Sequence, residues 1–287
     1  GIAIGDIDND GYPDIYIAND FHENDYLYFN NGDGTFSEKL TEQIPHTSRF
    51  SMGVDIGDIN NDGFSEIFSL DMHPEDPVIL KSSLGEDDYG IFQFKLGYGY
   101  NYQYARNTLQ LNNGDATFSD IGVYAGVHAS DWSWATLFTD FDNDGLSDIF
   151  IANGIPKRMN DIDYVNFVSN DEVQGRISTD NMEQEDLGLI EKLPEIKIYN
   201  KFYRNNGELA FDDISESVIN KLESYSNGAV TADFDNDGDI DIVVNNINEP
   251  PFVYRNTSAD QGRGGHYLQL RLEGPGSNTF GIGAKVV

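Results

Sequence analysis

The chain has no cysteine, and only 17 of its 287 residues are lysine or arginine. The first absence excludes disulfides and thiolate metal sites. The second, set against 50 aspartates and glutamates for a formal net charge of -33, leaves no basic footprint. Nucleic acid or an anionic membrane surface is therefore an unexpected partner, because both are held by positive charge. No apolar run reaches the 18 or so residues that a membrane-spanning helix needs. The five histidines, His22, His46, His73, His128 and His266, are scattered without metal-ligand spacing. There is no Gly-x-Ser-x-Gly elbow, phosphate loop or dinucleotide fingerprint, so no catalytic constellation emerges and the chain reads as non-enzymatic. At 39% hydrophobic and 13% aromatic residues it can still bury a core.

What is present is a nine-residue acidic segment occurring four times. It reads Asp6-Ile-Asp8-Asn-Asp10-Gly-Tyr12-Pro-Asp14, then Asp58-Ile-Asn60-Asn-Asp62-Gly-Phe64-Ser-Glu66. It recurs as Asp140-Phe-Asp142-Asn-Asp144-Gly-Leu146-Ser-Asp148 and as Asp233-Phe-Asp235-Asn-Asp237-Gly-Asp239-Ile-Asp241. Oxygen-bearing side chains stand at positions one, three, five and nine, and glycine at six. Carboxylates packed so tightly repel one another unless a cation neutralises them. An all-oxygen donor set suits a hard divalent ion, and calcium fits best because it takes six to eight oxygens, backbone carbonyls included. The carbonyls at position seven, those of Tyr12, Phe64, Leu146 and Asp239, are candidate ligands beside the side chains. About four Ca2+ sites are expected, the second the weakest because Asn60 removes a charge. Asp144→Ala is expected to disable one site and spare three. An EF-hand would need glutamate at position twelve, where this chain has Ile17, Ser69, Ile151 and Val244.

Short apolar runs flank every copy: Ile2 to Ile4 and Ile15 to Ala18 around the first, Met52 to Ile56 and Ile67 to Leu70 around the second. Trp134 to Phe138 and Ile149 to Ala152 flank the third, and Ala229 to Ala232 and Ile240 to Val244 the fourth. These read as buried strands joined by the acidic loop. A second element, an Asn-Asn-Gly turn between apolar runs, recurs at Asn30–Gly32, Asn112–Gly114 and Asn205–Gly207, with a degenerate copy at 252–256; Asn-Gly is a hairpin signal. Four strands per unit, repeated along the chain, predict an all-β fold of β-propeller blades. Insertions at 72–106 and 155–198 stretch the spacing. The first, rich in Tyr and Phe, reads as an ordered loop on the propeller face or an aromatic platform for sugar rings; the second reads as one or two helices. Trp132 and Trp134 read as packing rather than as a ligand platform. Residues 264–272 alternate as a half-exposed strand, and a domain boundary is placed near residue 258. The chain opens and closes inside strand-like runs, as a piece of a longer propeller, of about seven blades, would.

The acidic hairpin between short strands resembles the FG-GAP or VCBS repeat, the calcium-loop blade also seen in integrin α-subunit propellers. Arg106–Gly114, Asp131–Ala135 and Val243–Pro250 are similar to bacterial VCBS-repeat proteins in which a domain called ASPIC/UnbV follows the repeats. Phe280-Gly-Ile-Gly-Ala-Lys-Val286 resembles the opening of that domain, so 1–258 would be propeller and 259–287 its successor; the animal relative is cartilage acidic protein. The resemblance implies a secreted or surface-anchored, calcium-stabilised adhesion module that binds proteins or glycans. The rival reading is a propeller scaffold for an extracellular polysaccharide-active enzyme, which would need two carboxylates outside the loops roughly 5–9.5 Å apart.

Overall fold

A computed structural model describes residues 1–21, 23–171, 174–175, 193–219, 222–261 and 267–284. Much of the 155–198 insertion, where one or two helices are expected, lies outside these, as do His22, His266 and the last three residues.

The first blade is one antiparallel sheet of β1 (Ile2–Gly5), β2 (Asp14–Ile17), β3 (Tyr26–Asn30) and β4 (Phe36–Glu38), in that order. A short helix α1 (Leu40–Gln43) and strand β5 (Thr47–Ser48) lead to the second blade. That blade begins with β6 (Val54–Gly57) and β7 (Glu66–Ser69). The first insertion follows, with helices α2 (Pro77–Ser82) and α3 (Tyr89–Gly97) and strand β8 (Gln103–Tyr104), which pairs in parallel with β5. The sheet is completed by β9 (Thr108–Asn112) and β10 (Phe118–Asp120). After α4 (Gly122–Ala125), the third blade runs β11 (Ser133–Thr139), β12 (Asp148–Asn153), then helix α5 (Ile162–Val168) and strand β13 (Ile198–Tyr199), then β14 (Lys201–Asn205) and β15 (Phe211–Asp213). Helix α6 (Ser215–Ile219) and strand β16 (Glu223–Ser224), the partner of β13, precede the fourth blade. It has β17 (Ser226–Ala232), β18 (Asp241–Asn246) and β19 (Phe252–Tyr254), and no fourth strand among the described residues.

Strand β1 lies against β6, β6 against β11 and β11 against β17, so the first strands line an axis and the blades fan outward in an arc. Neighbouring sheets pack face to face. Because side chains alternate along a strand, the second strands of the two inner blades, β7 and β12, each serve two interfaces: Tyr16 of β2 meets Ile67 of β7, Phe68 meets Ile149 of β12, and Phe150 meets Ile242 of β18. This explains why these runs are apolar without a break rather than alternating. In the first two loops the second residue, Ile7 or Ile59, is 1–2% exposed and belongs to the same inter-blade cores; Phe141 of the third is partly buried and Phe234 of the fourth exposed.

The fourth unit has three described strands, and the place of its expected fourth lies outside the described residues. Two expectations are corrected. The 72–106 insertion is partly helical: Asp76 accepts from the N–H groups of Val78 and Ile79, Asp88 from Gly90 and Ile91, and Pro77 occupies the first turn of α2. These are N-cap signals, and no residue of either helix is buried. Residues 267–272 form no strand, since alternation gives a ladder only where a partner edge is in reach.

Candidate metal centre

In a blade with four strands in order, the first and third connections lie at one end and the second at the other. The four acidic loops and the Asn-Asn-Gly turns therefore share one face, and both insertions occupy the opposite face. The side chain at loop position seven lies over the turn glycine of its own blade. A Cβ on Gly32 would stand 2.9 Å from the Tyr12 ring, and one on Gly114 3.1 Å from the Phe64 ring.

Each loop is wound by its own carboxylates. The position-one oxygens of Asp6, Asp58, Asp140 and Asp233 accept the N–H of the position-six glycine at 2.9–3.1 Å. Asp10, Asp62, Asp144 and Asp237 accept the N–H two residues on. The position-six glycines adopt φ of +87° to +94°, a backbone conformation that side chains resist. Space around three of them is open, so it is the dihedral and not crowding that demands glycine. Asparagine at position four, which tolerates the left-handed region, sits there with φ of 54° to 60°.

The structure brings together Asp6, Asp8 and Asp10 in the first loop, Asp140, Asp142 and Asp148 in the third, and Asp233, Asp235 and Asp241 in the fourth. Within each trio the carboxylate oxygens lie within 4.8 Å of one another. The second loop forms no such trio, because Asn60 replaces a carboxylate and donates instead to Asp62 at 2.9 Å. Position nine is buried throughout. Asp14 takes the Ile7 and Asn30 N–H groups, Asp148 those of Phe141 and Asn205, and Asp241 those of Phe234 and Asn256. This residue is first a clasp between the loop and the third strand.

Do these residues fit a cation? Three carboxylate oxygens, Asp6 Oδ1, Asp142 Oδ1 and Glu66 Oε1, are buried with no hydrogen-bond partner. A buried unpaired acceptor is costly, and an ion would satisfy it. Burial pushes the Asp148 and Glu66 carboxyls up to about 7. Asp142 is raised by burial and by its neighbours Asp144 and Asp140, and Asp8 and Asp14 are raised chiefly by burial. The donor set is all oxygen, so the residues fit calcium, with the first and third loops best. The fourth is compromised: Arg255 already pairs with Asp235 at 2.5 Å and Asp237 at 3.4 Å and holds the Asp235 carboxyl below its usual range.

The loops are also stitched to one another, which the repeat pattern alone did not reveal. Asn9 donates to the carbonyl of Gly63, Asn61 to that of Gly145, and Asn143 to Asp239 Oδ1, all at 2.8–2.9 Å. The turn asparagines reinforce this. Asn112 reaches the carbonyls of Ile7 and Ser65, Asn205 those of Ile59 and Ser147, and Asn256 those of Phe141 and Ile240. Each ties its own loop to that of the preceding blade. A further repeat went unread on the opposite face. Serine seven residues before a loop bonds asparagine at its fourteenth position, as Ser133 with Asn153 at 2.6 Å and Ser226 with Asn246 at 2.7 Å.

On the insertion face, Asp87 pairs with Lys95 within the insertion and with Arg49 of the β5–β6 connection, which ties the insertion to the start of the second blade. Tyr89, Phe94, Tyr98 and Tyr102 are nonetheless 47–79% exposed, with the Phe94 and Tyr98 rings 4.6 Å apart. Trp132 is buried, and Trp134 donates its indole N–H to the carbonyl of Gly154, so both serve packing. The buried carboxylates here have structural duties: Asp25 with Tyr16 and Ser51, Asp71 with Ser48, Asp131 with Arg158.

With this geometry in view, residues 6–69 and 97–151 match the family model of the FG-GAP-like repeat. Those two stretches carry FG-GAP-like repeats. The gap between the two matched stretches, 70–96, contains α2 and all of α3 but its last residue, so the helical insertion interrupts the repeat. No curated protein matches the chain. A solved structure described as the basis of specific recognition of non-reducing terminal N-acetylglucosamine by an Agrocybe aegerita lectin is similar at 14% identity and a TM-score of 0.39, over 88% of this chain and 51% of that one. The chain thus spans about half the length of that protein. No described helix is long and apolar enough to cross a membrane.

Proposed function

We propose that these FG-GAP-like repeats form a calcium-stabilised, non-catalytic adhesion module that acts outside the cell or on its surface and binds a glycan or protein ligand on the insertion face. The loops hold calcium through Asp6, Asp8, Asp10 and their counterparts, and the ion neutralises like charges that would otherwise push the strand ends apart. Calcium is structural in this reading, because the loops lie between buried strands on the face away from the insertions. The exposed aromatic group of Tyr89, Phe94 and Tyr98, on an insertion that the Arg49–Asp87 pair ties to the β5–β6 connection, carries the assignment of the ligand face. Flat rings stack on sugar faces or serve as protein anchors at little entropic cost. Residues 259–287 are assigned to the start of an ASPIC/UnbV-like domain on the strength of Phe280–Val286.

A glycan array probed with the wild-type chain and with Phe94→Ala and Tyr98→Ala tests the ligand face. Binding that both variants lose at unchanged melting temperature supports it. Binding that survives both substitutions moves the site elsewhere.

A further inference from the structure

Two histidines that stand far apart in the sequence meet at the joint of the second and third blades, on the insertion face. His73 lies on the stretch that leaves β7 for α2, and His128 on the stretch between α4 and β11. Their ring centroids are 6.3 Å apart and the ring planes are inclined by 46°. Both backbones are pinned. The His73 carbonyl accepts the N–H groups of Ser130 at 3.2 Å and Asp131 at 2.8 Å, and the His128 carbonyl accepts that of Asn107 at 3.0 Å. Asn107 is fully buried. Its side-chain amide donates to the Val127 carbonyl and to Ser130 Oγ, and its side-chain oxygen accepts the Asp71 N–H. The chain around both imidazoles is therefore fixed before any ligand arrives.

The chemistry of the pair suits a metal. The Nδ1 atom of His128 is buried with no hydrogen-bond partner, a costly state for a polar atom. Burial, and then the neighbouring His73, lowers the pKa of His128, and the neutral imidazole is the form that ligates. A carboxylate stands within reach. Glu75 follows His73 by two residues, its side chain is 58% exposed, and it pairs with Lys201. Lys201 also holds Asp213 at 2.8 Å, so Glu75 can turn away without stranding a buried ammonium. The other cation acting on His128, Arg106, is itself paired with Asp120 at 3.0 Å.

We propose that His73, His128 and Glu75 form a site for a divalent transition-metal ion of the zinc type, separate from the acidic loops on the opposite face. Imidazole nitrogen suits zinc, nickel or copper, whereas calcium takes oxygen. Two imidazoles bound to one tetrahedral ion at about 2.0–2.1 Å hold their ring centroids about 5 Å apart. The rings need to close by only about 1 Å from where they stand. Glu75 supplies the third ligand, and the fourth position is left to water or to a donor atom of a ligand. The ion ties the root of the helical insertion to the connection that enters the third blade.

The test is a calorimetric titration of zinc into the whole chain with calcium in large excess, so that the oxygen loops are occupied. One equivalent of zinc should bind. Even a group that only orients a metal ligand is worth about 10–100-fold in affinity, so His73→Ala, His128→Ala and Glu75→Gln should each weaken binding at least about tenfold. A variant that melts below the wild type without zinc is replaced by a measurement on the wild type: zinc should protect His73 and His128 from diethyl pyrocarbonate, read by mass spectrometry of their peptides. No zinc binding under excess calcium overturns the proposal. So does binding that survives either alanine substitution or Glu75→Gln, and so does equal modification of the two histidines with and without zinc.

Discussion

The asparagine that ends the third strand of each blade should be worth more to stability than any one acidic ligand, and Asn205 is the place to measure it. Its side chain is 4% exposed. It donates to the carbonyl of Ile59 at 2.7 Å and to that of Ser147 at 3.0 Å, and accepts the N–H of Gly207 at 3.0 Å. Asn205→Ala leaves two carbonyls without their donor where blades two and three meet. An unsatisfied buried polar group costs about 1–3 kcal/mol, and the bond from the Asn205 N–H to Asp148 survives the substitution. Over the two carbonyls the sum is roughly 2–6 kcal/mol, or a fall of roughly 4–24 °C at about 2–4 °C per kcal/mol for a chain of this size. Asn206→Ala is the matched control: Asn206 is exposed and accepts only the N–H of Glu208, so it should cost less than about 0.5 kcal/mol. Asn205→Asp separates hydrogen bonding from packing, since it keeps the volume and loses the donor. It should destabilise at least as much as alanine, because a carboxylate would face two carbonyls. Thermal and urea unfolding at fixed calcium read all three. An Asn205→Ala no worse than Asn206→Ala would refute the inter-blade stitch, and a mild Asn205→Asp would mean that packing, not donation, is what the residue supplies.

Calcium should raise the melting temperature and EDTA lower it, because a ligand of the folded state adds about 2.7 kcal/mol per site at a hundred times its dissociation constant; an EDTA-insensitive melt ends the cation reading. Asn143→Ala should weaken calcium binding at the third and fourth loops together, since Asn143 holds Asp239; calorimetry that finds one loop altered would make the loops modular after all. Asp25→Asn should remove a pH dependence. Burial raises the Asp25 carboxyl to about 6 against about 3.9 unfolded, so the folded state binds more protons and stability falls as pH rises between those values. The wild type should therefore lose on the order of 3 kcal/mol relative to Asp25→Asn between pH 4 and 7, and a flat difference across that window would contradict it.

The parts of this protein that were legible in its sequence are those whose geometry is local. Asp6 through Asp14 fold onto one another across nine residues, so spacing alone gives the loop, its glycine and its flanking strands. The Asn-Asn-Gly turns are legible for the same reason. What joins the blades is not local. Asn112 meets Ile7 across 105 residues and Asn205 meets Ile59 across 146, and nothing in either segment taken alone marks a side chain as a stitch. Comparing equivalent positions of the four repeats does mark them. Asparagine recurs at the end of every third strand, serine seven residues before three of the loops, and phenylalanine at the start of three fourth strands. The same comparison changes the ranking of the metal loops. Counting charges alone makes the second loop weakest, because Asn60 stands where its counterparts are aspartate. Yet Glu66 there holds a buried oxygen with no partner, while the fourth loop, richest in carboxylates, has spent two of them on Arg255. Arg255 lies 14 residues beyond that loop, and its counterparts in the first and second blades are Phe29 and Leu111. Affinity for a cation depends on which carboxylates are still unpaired when the ion arrives, and pairing is a property of the folded blade.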